Sequence, residues 1–496
     1  MAENNTNANE NPTQQTENNM DGSYHNFNTK VISPLDNMNQ YNNQNAPNNM
    51  PITTNQTEAG KEEGKEIKKV KTIKKSSIFG ATFMITNICL GTTIFTFATR
   101  AKSFGLIWML VFCFLVAVVN YWSIMRCVYS SSRCQYDDYS EICEHFLGRK
   151  WRIVLNIIII IYSYASVMCL IALIYPLFGR FIQSAFYRND YADYDAFKDA
   201  KWGKAYIKYP FFFGLAFLLS LICLIRDINK LNFSAYIGVV ACGYAIIVVM
   251  IQCHSYYKHY KDTVYKKDDD STHVNWFNLG DAFTKDLIFF KGIANLILAY
   301  ACQSGIFPIY AGFKIVQDGK KKMRISAILG MLLTTLLHVV SIVCSFLTDP
   351  ITPEDLIIYR KNKGTGRDIA MVIARLLVSI SLIFTVPGYY FPLRLSVINS
   401  FTHGELSNLF NILFTFISIF VCALISAVYD KILNYLNYIG FISVFISFLF
   451  PALMDVVSSQ KKCTHWKNIC FIGLAVLMCL IGIVAFVATL IDDIKG

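Results

Sequence analysis

Charged residues are scarce in this sequence. Of its 496 residues, 16% are charged, 54% are hydrophobic and 15% are aromatic, whereas about 25% of the residues of a typical soluble protein are charged. The apolar residues come in blocks of about 20, the length that an α-helix needs to cross a hydrocarbon layer about 30 Å thick. This composition excludes an ordinary soluble domain and predicts an all-α polytopic membrane protein.

Three further absences narrow the possibilities. The first 75 residues contain no apolar run of signal-peptide length, so we expect the first membrane helix to act as its own insertion signal. No phosphate-binding loop of the Walker A type occurs, which argues against an ATP-driven pump. The chain has 15 cysteines, but none lies in the long polar segments 182–208 and 255–284, so we expect no external disulfide framework.

The amino-terminal segment differs in composition from the rest. About one third of residues 1–50 are asparagine. Such a tract cannot bury enough apolar surface to offset its conformational entropy, so we expect it to be disordered. Residues 61–75 follow with seven Lys and three Glu. We therefore divide the chain into a leader, 1–75, and a transmembrane domain, 76–496.

The apolar blocks predict about eleven transmembrane helices. Their boundaries, read from the hydrophobic runs, are 77–99, 105–127, 151–178, 210–225, 232–253, 287–313, 324–347, 369–392, 407–428, 432–454 and 468–491. The fourth span is short, and the fourth and fifth spans are separated by only a few residues.

Lys and Arg are unevenly distributed among the loops, and this predicts the orientation. They concentrate in the leader and in the loops after the second, sixth and tenth spans, as in 126–152, 314–324 and 461–467. Short loops rich in Lys and Arg lie in the cytosol, so we place the N-terminus there and the C-terminus on the extracellular or lumenal side. The net charge of +11 mostly reflects this asymmetry, and we predict no nucleic-acid partner.

Polar and helix-breaking residues interrupt two of the predicted spans. Asn87, Gly91, Thr92 and Thr93 lie at mid-membrane depth in the first span, and the segment from Gln303 to Pro308 interrupts the sixth. Non-helical backbone at this depth survives only where it is buried in protein or lines a cavity. Small residues also serve helix packing, but two interruptions five spans apart are typical of an inverted repeat with its site at the repeat interface.

This spacing predicts the domain's internal organisation. The two repeats would be 77–253 and 287–454, a 5+5 inverted repeat, and the helix 468–491 would be an extra one. A substrate would then bind at the two interruptions. The candidate substrate-binding residues are Asn87, Leu90, Gly91, Thr92, Thr93, Tyr300, Ala301, Cys302, Gln303 and Ser304.

Four stretches resemble the amino acid/auxin permease family, which includes the sodium-coupled neutral amino acid transporters. They are Asn87-Ile-Cys-Leu-Gly-Thr-Thr-Ile94, Tyr300-Ala-Cys302, Phe307-Pro-Ile-Tyr310 and Thr385-Val-Pro-Gly-Tyr-Tyr-Phe-Pro-Leu-Arg-Leu-Ser396. The resemblance covers about residues 76–491, although Thr93 stands where the family often has a second glycine. It implies a LeuT-like fold and an amino acid substrate taken up with a cation. It also implies a sodium site at Asn87 and Thr385; the alternative is that both side chains simply bond neighbouring helices.

Two ionisable residues inside predicted spans are further candidates. His338 lies in the middle of the seventh span, where it would either titrate in a proton-coupled cycle or stay neutral and bond a helix neighbour. Arg375 lies about two turns inside the outer edge of the eighth span. It would snorkel to the surface or serve as a gate or a ligand for the substrate carboxylate.

The sequence therefore predicts a secondary active transporter of amino acids that works by alternating access and is coupled to a proton or sodium gradient. The alternative is a transporter-like amino acid sensor or receptor without substantial flux. We predict no enzymatic activity and no cofactor. The partners are an amino acid and the lipid bilayer of a plasma membrane or a lysosome- or vacuole-like membrane, and the sequence gives no oligomeric state.

Overall fold

The structure, a computed structural model, describes residues 77–91, 93–191, 193–225, 232–263, 276–277, 287–348, 356–361, 368–401, 407–429, 432–459 and 466–495. The predicted leader lies outside the described residues. The helices are α1 Ile78–Leu90, α2 Phe97–Phe104, α3 Leu106–Ser131, α4 Tyr139–Leu147, α5 Arg149–Phe186, α6 Tyr194–Phe197, α7 Ala205–Cys223, α8 Asn232–Thr263, α9 Ile288–Tyr300, α10 Gln303–Lys314, α11 Gly319–Thr348, α12 Ile369–Phe401, α13 Asn408–Val428, α14 Ile432–Val444, α15 Phe450–Ser458 and α16 Trp466–Lys495. Short 3₁₀ turns occupy Thr93–Phe95 and Ile357–Tyr359, and π-helical turns occupy Lys198–Trp202 and Phe445–Leu449.

This is an all-α polytopic membrane protein, as the sequence predicts. Within the described ranges there is no strand, and ten helical segments are long and apolar enough to cross a membrane. One of the ten is α9 and α10 taken together. The predicted first span is divided between α1, which has only 13 residues, and α2. The predicted count of eleven adds α1 and α2 to these ten segments as one further crossing, and it stays a prediction.

Several helices extend beyond the apolar runs that predicted them. The helix α5 has 38 residues, whereas the sequence predicts 151–178 for the third span. At about 1.5 Å per residue it is about 57 Å long, well over the thickness of the hydrocarbon layer. Hydropathy marks only the part of a helix inside that layer, and a helix continues into the interface because its backbone hydrogen bonds are internal.

Pairs of long helices surround the interrupted first span. The helix α11 packs along α1, and α12 packs along both α5 and α8. The Thr86 hydroxyl donates to Gly330 O at 3.4 Å, and the Ser326 hydroxyl donates to Ile78 O at 3.2 Å, so α11 is bonded to α1 at two levels. Two clusters of buried apolar side chains form the core, and α1 contributes residues to both.

Loops that the sequence places on the same side of the membrane lie at the same end of the structure. At one end, Arg126 and Arg133 both contact the Asp455 carboxylate, and Lys314 Nζ lies 2.8 Å from Asp137 Oδ1. At the other end, Lys361 Nζ lies 3.8 Å from Asp193 Oδ2. The 5+5 inverted repeat and the cytosolic assignment of the first end remain predictions.

Candidate functional site

The first span is interrupted at Gly91. The helix α1 ends at Leu90, and Gly91 has φ 36° and ψ −151°, a conformation that residues with a side chain rarely adopt. The backbone then forms one 3₁₀ turn before α2 begins. The Ser341 hydroxyl of α11 donates to Ile94 O at 2.7 Å, which satisfies a carbonyl that the interruption removes from the helical ladder.

The sixth span is interrupted at Ala301 and Cys302. Ala301 is extended, with φ −73° and ψ 101°, and α10 begins at Gln303. The sequence places this interruption among Gln303, Ser304, Gly305 and Pro308, but Pro308 lies inside α10. That part of the prediction is wrong, because a proline ring is tolerated in a membrane helix whose freed backbone groups find other partners.

The two interruptions face each other. The Cys89 thiol of α1 donates to Tyr300 O of α9 at 3.6 Å. Beside this contact is a cavity of about 30 Å³, large enough for a few water molecules. It is lined by Ile88, Cys89, Gly91, Thr93, Ser166, Cys169, Leu170, Leu298, Tyr389, Leu436 and Ile439. None of these side chains carries a formal charge, and a substrate the size of an amino acid enters only if the surrounding helices move apart.

Two of the candidate substrate residues in the first span line this cavity. They are Gly91 and Thr93, and the Thr93 hydroxyl is buried without a hydrogen-bond partner in the described part of the chain. Leu90 is buried in the apolar core, and Thr92 lies outside the described residues. Asn87 is on α1 about one turn before the interruption and does not line the cavity.

None of the candidate residues of the sixth span is among the residues that line this cavity. Tyr300 is fully buried, and its hydroxyl donates to Thr335 Oγ1 at 3.2 Å. Ala301 and Cys302 are buried at the interruption itself, and Ser304 is half-buried on the first turn of α10. The Gln303 side chain bonds α3 rather than reaching into the cavity.

Of the two predicted sodium ligands, Asn87 lies close to Gly238 of α8 and to Ser381, one helical turn before Thr385 in α12. A Cβ added at Gly238 would lie 2.1 Å from Asn87 Oδ1 and 3.4 Å from Ser381 Oγ, so a side chain at this position would displace Asn87. The Thr385 hydroxyl donates to Ser381 O of its own helix at 2.8 Å. Oxygen atoms from α1 and α12 therefore converge here, and the Thr385 oxygen keeps lone pairs that a hard cation can use.

His338 contacts both interrupted helices. Its ring lies edge-on to Phe97, the first residue of α2, and to Tyr300, the last residue of α9, with centroid distances of 5.1 and 4.9 Å. The side chain is fully buried, and neither ring nitrogen has a hydrogen-bond partner among the described residues. The expected bond to a helix neighbour is therefore not formed. Titration of His338 in a transport cycle stays a prediction.

Arg375 does not snorkel, which corrects one of the two sequence-based interpretations. Its side chain is only 3% exposed. Its nitrogen atoms donate to Ile358 O at 3.1 Å, to Arg360 O at 2.9 Å and to the Ser184 hydroxyl at 2.6 Å. The guanidinium thus donates to two carbonyls of the buried segment after α11 and to one hydroxyl of α5. It links the two elements inside the protein rather than extending to the surface.

Most of the residues that line the cavity were not identifiable from the sequence. Ser166 and Cys169 come from α5, Tyr389 from α12, and Leu436 and Ile439 from α14. None of them interrupts a helix, so nothing in the local pattern distinguishes them from packing residues. Of these five residues, only Tyr389 belongs to a stretch that carries the family resemblance.

Comparison with known proteins agrees with this architecture. A protein from Xenopus tropicalis named "Putative sodium-coupled neutral amino acid transporter 8" is 21% identical over 270 residues, 51% of this chain. The match spans 57% of the length of that relative. The family description "Transmembrane amino acid transporter protein" matches residues 74–494, nearly the whole described region. The chain belongs to the transmembrane amino acid transporter family.

Proposed function

We propose that the protein is a secondary active transporter that moves amino acids across a membrane by alternating access, coupled to a cation. The observation that carries this proposal is that two interrupted helices meet beside a small cavity, where the bond from Cys89 to Tyr300 O joins them. Paired interrupted helices at mid-membrane depth are typical binding elements of such transporters. Membership in the family supports amino acids as the transported compounds.

The backbone on each side of the cavity suits one end of an amino acid. The first interruption leads into the N-terminal end of α2 at Phe97, and the partial positive charge of this helix end suits the substrate carboxylate. The Tyr300 carbonyl, released from the helical ladder, suits the ammonium group, which would displace the Cys89 thiol. The uncharged lining favours a substrate with a neutral side chain, in line with the name of the relative.

We propose that the coupling cation is sodium, bound by Asn87 and Thr385 with carbonyl oxygens of the first interruption. The proposal is supported by the oxygen atoms of Asn87 and Ser381 that lie close to Gly238, and by the Thr385 hydroxyl bonded to Ser381 O. A hard cation that loses its hydration shell needs such oxygen ligands. A proton carried by His338 is the second candidate, supported by the unpartnered ring between both interrupted helices.

Uptake of labelled neutral amino acids into proteoliposomes, with sodium and pH gradients imposed independently, tests this function. We expect uptake that depends on the protein and is driven by the inward sodium gradient. Uptake that follows the pH gradient alone would refute sodium coupling and favour proton coupling instead. Saturable binding without any flux would refute transport itself and indicate an amino acid sensor.

A further inference from the structure

Gln303 begins α10, yet its side chain turns away from the cavity. Cys302 N donates to Gln303 Oε1 at 3.0 Å. In a continuous helix this N–H group would donate to Leu298 O, but Ala301 N takes that carbonyl at 3.1 Å. The Gln303 amide thus replaces the backbone hydrogen bond that the interruption breaks, and the extended conformation at Ala301 requires such a partner because the segment is buried.

The other end of the Gln303 amide is held by α3. Gln303 Nε2 donates to Asn120 Oδ1 at 2.7 Å and approaches Ser123 Oγ at 3.4 Å. Asn120 is itself held by the bond from its Nδ2 to Val116 O at 3.3 Å. Gln303, Asn120 and Ser123 are each no more than 1% exposed, so these bonds form without competition from water.

The network continues into α14 and α15 through the π-helical turn Phe445–Leu449. The Ser123 hydroxyl donates to Ser447 O, and the Tyr139 hydroxyl donates to Ile446 O at 2.8 Å. A π-helical turn interrupts the regular ladder of an α-helix and is often found at functional sites. The interruption of the sixth span is therefore anchored to two other membrane helices, α3 and the helix formed by α14 and α15.

We propose that Gln303 and Asn120 are positioning residues for the substrate: together they hold Cys302 N so that the Tyr300 and Ala301 carbonyls face the substrate ammonium group. This inference rests on the proposed function. Neither side chain lines the cavity, so both act through the backbone. The two residues work as one unit, because a buried amide that loses its partner is left without a hydrogen bond.

A double-mutant cycle on uptake tests this proposal. We expect Asn120→Ala to raise the KM for the amino acid about tenfold, since it removes the shorter of the two bonds that hold the buried Gln303 amide and leaves only the 3.4 Å contact with Ser123 Oγ. Gln303→Leu should have a similar effect, and the double variant should be no worse than either single variant. The maximal rate per molecule in the membrane and the apparent sodium affinity should stay within about twofold of wild type. A purely structural role would instead lower the amount of folded protein and leave KM unchanged.

The matched control is Asn156→Ala in α5. Asn156 is also a buried asparagine, with Nδ2 donating to Ser400 Oγ at 3.2 Å, but it lies outside the network. An equal rise in KM for Asn156→Ala, or multiplying effects in the double variant, would overturn the proposal. If Asn120→Ala does not reach the membrane, Gln303→Met keeps the side-chain length without the amide and gives the same comparison. Absence of uptake by the wild type would refute the proposed function itself, whereas the KM values of the variants test only the positioning role.

Discussion

The Cys89 thiol donates to the Tyr300 carbonyl at 3.6 Å, which joins the first interrupted helix to the second. Both residues are buried, with exposed fractions of 1% and 0%. The carbonyl that we assign to the substrate ammonium group thus accepts a hydrogen bond from the thiol. Substrate and thiol compete for one acceptor, so the strength of the thiol's bond influences the apparent affinity.

Cys89 variants test this competition. Cys89→Ala removes the competing donor and should lower the KM by about twofold, because a thiol is a weak donor. Cys89→Ser supplies a stronger donor and should raise the KM. Uptake kinetics at saturating sodium measure the KM of both variants. The control is Cys242→Ala, which replaces a buried cysteine of α8. The opposite order of KM values would show that Tyr300 O does not bind the substrate.

Gly91 tests the carboxylate half of the site. The φ of 36° at Gly91 strains any residue with a Cβ atom by about 1–3 kcal/mol, and a valine is also β-branched. A Cβ would also lie 3.9 Å from Tyr389 Oη, so a valine would fill the cavity. Gly91→Val should abolish uptake while surface expression stays close to that of Gly243→Val, a glycine with open space around it. Transport by Gly91→Val with an unchanged KM would place the substrate elsewhere.

The fold was predictable from the sequence to the extent that it follows from hydrophobicity. Apolar runs identified the membrane helices, and Gly91 identified the first interruption because few residues adopt its backbone conformation. Pro308 was misleading in the sixth span, since the interruption at Ala301 and Cys302 precedes it and is stabilised by the Gln303 side chain. A side chain that replaces a backbone hydrogen bond leaves no pattern in the sequence.

The rest of the site depends on contacts between distant parts of the chain. Gly238 is an ordinary small residue in the sequence, and only the structure shows that it allows Asn87 to approach Ser381. For Arg375, snorkelling was one of two interpretations, because its partners in the segment after α11 and at the end of α5 are not visible in a hydropathy pattern. Both the approach of Asn87 to Ser381 and the burial of Arg375 depend on tertiary contacts rather than on the local sequence.

The predicted orientation is tested by labelling single added cysteines from outside intact cells. Lys198→Cys and Lys320→Cys are both at exposed positions, at opposite ends of the structure. A membrane-impermeant maleimide should label the first and not the second. Native Cys134 adds little background near neutral pH, because burial raises the pKa of its thiol, so that its labelling increases only as the pH rises.

The same orientation places the Asn232-Phe-Ser234 sequon in the cytosol, where it receives no glycan. A glycan on Asn232, or labelling of Lys320→Cys from outside, would reverse the topology. Wild-type cells treated with the same reagent provide the background.

Thr385 tests the cation site. Thr385→Ala removes one proposed oxygen ligand and leaves the pathway open, so the apparent sodium affinity should fall more than the maximal rate. Thr415→Ala is a matched control, since this threonine also donates to a carbonyl of its own helix, Asn411 O at 2.8 Å, but lies in α13. Sodium dependence of uptake gives both values. An unchanged sodium affinity in Thr385→Ala would refute this site and make His338 the next residue to test.

Counterflow tests alternating access most directly, and it does not depend on which cation drives transport. Proteoliposomes that contain the purified protein are preloaded with an unlabelled neutral amino acid and diluted into a trace of the labelled compound. A carrier whose site opens to one side at a time should accumulate the label transiently above its equilibrium level, and Gly91→Val should not. Label that only equilibrates, at the same rate with or without preloading, would contradict a carrier built on the two interrupted helices.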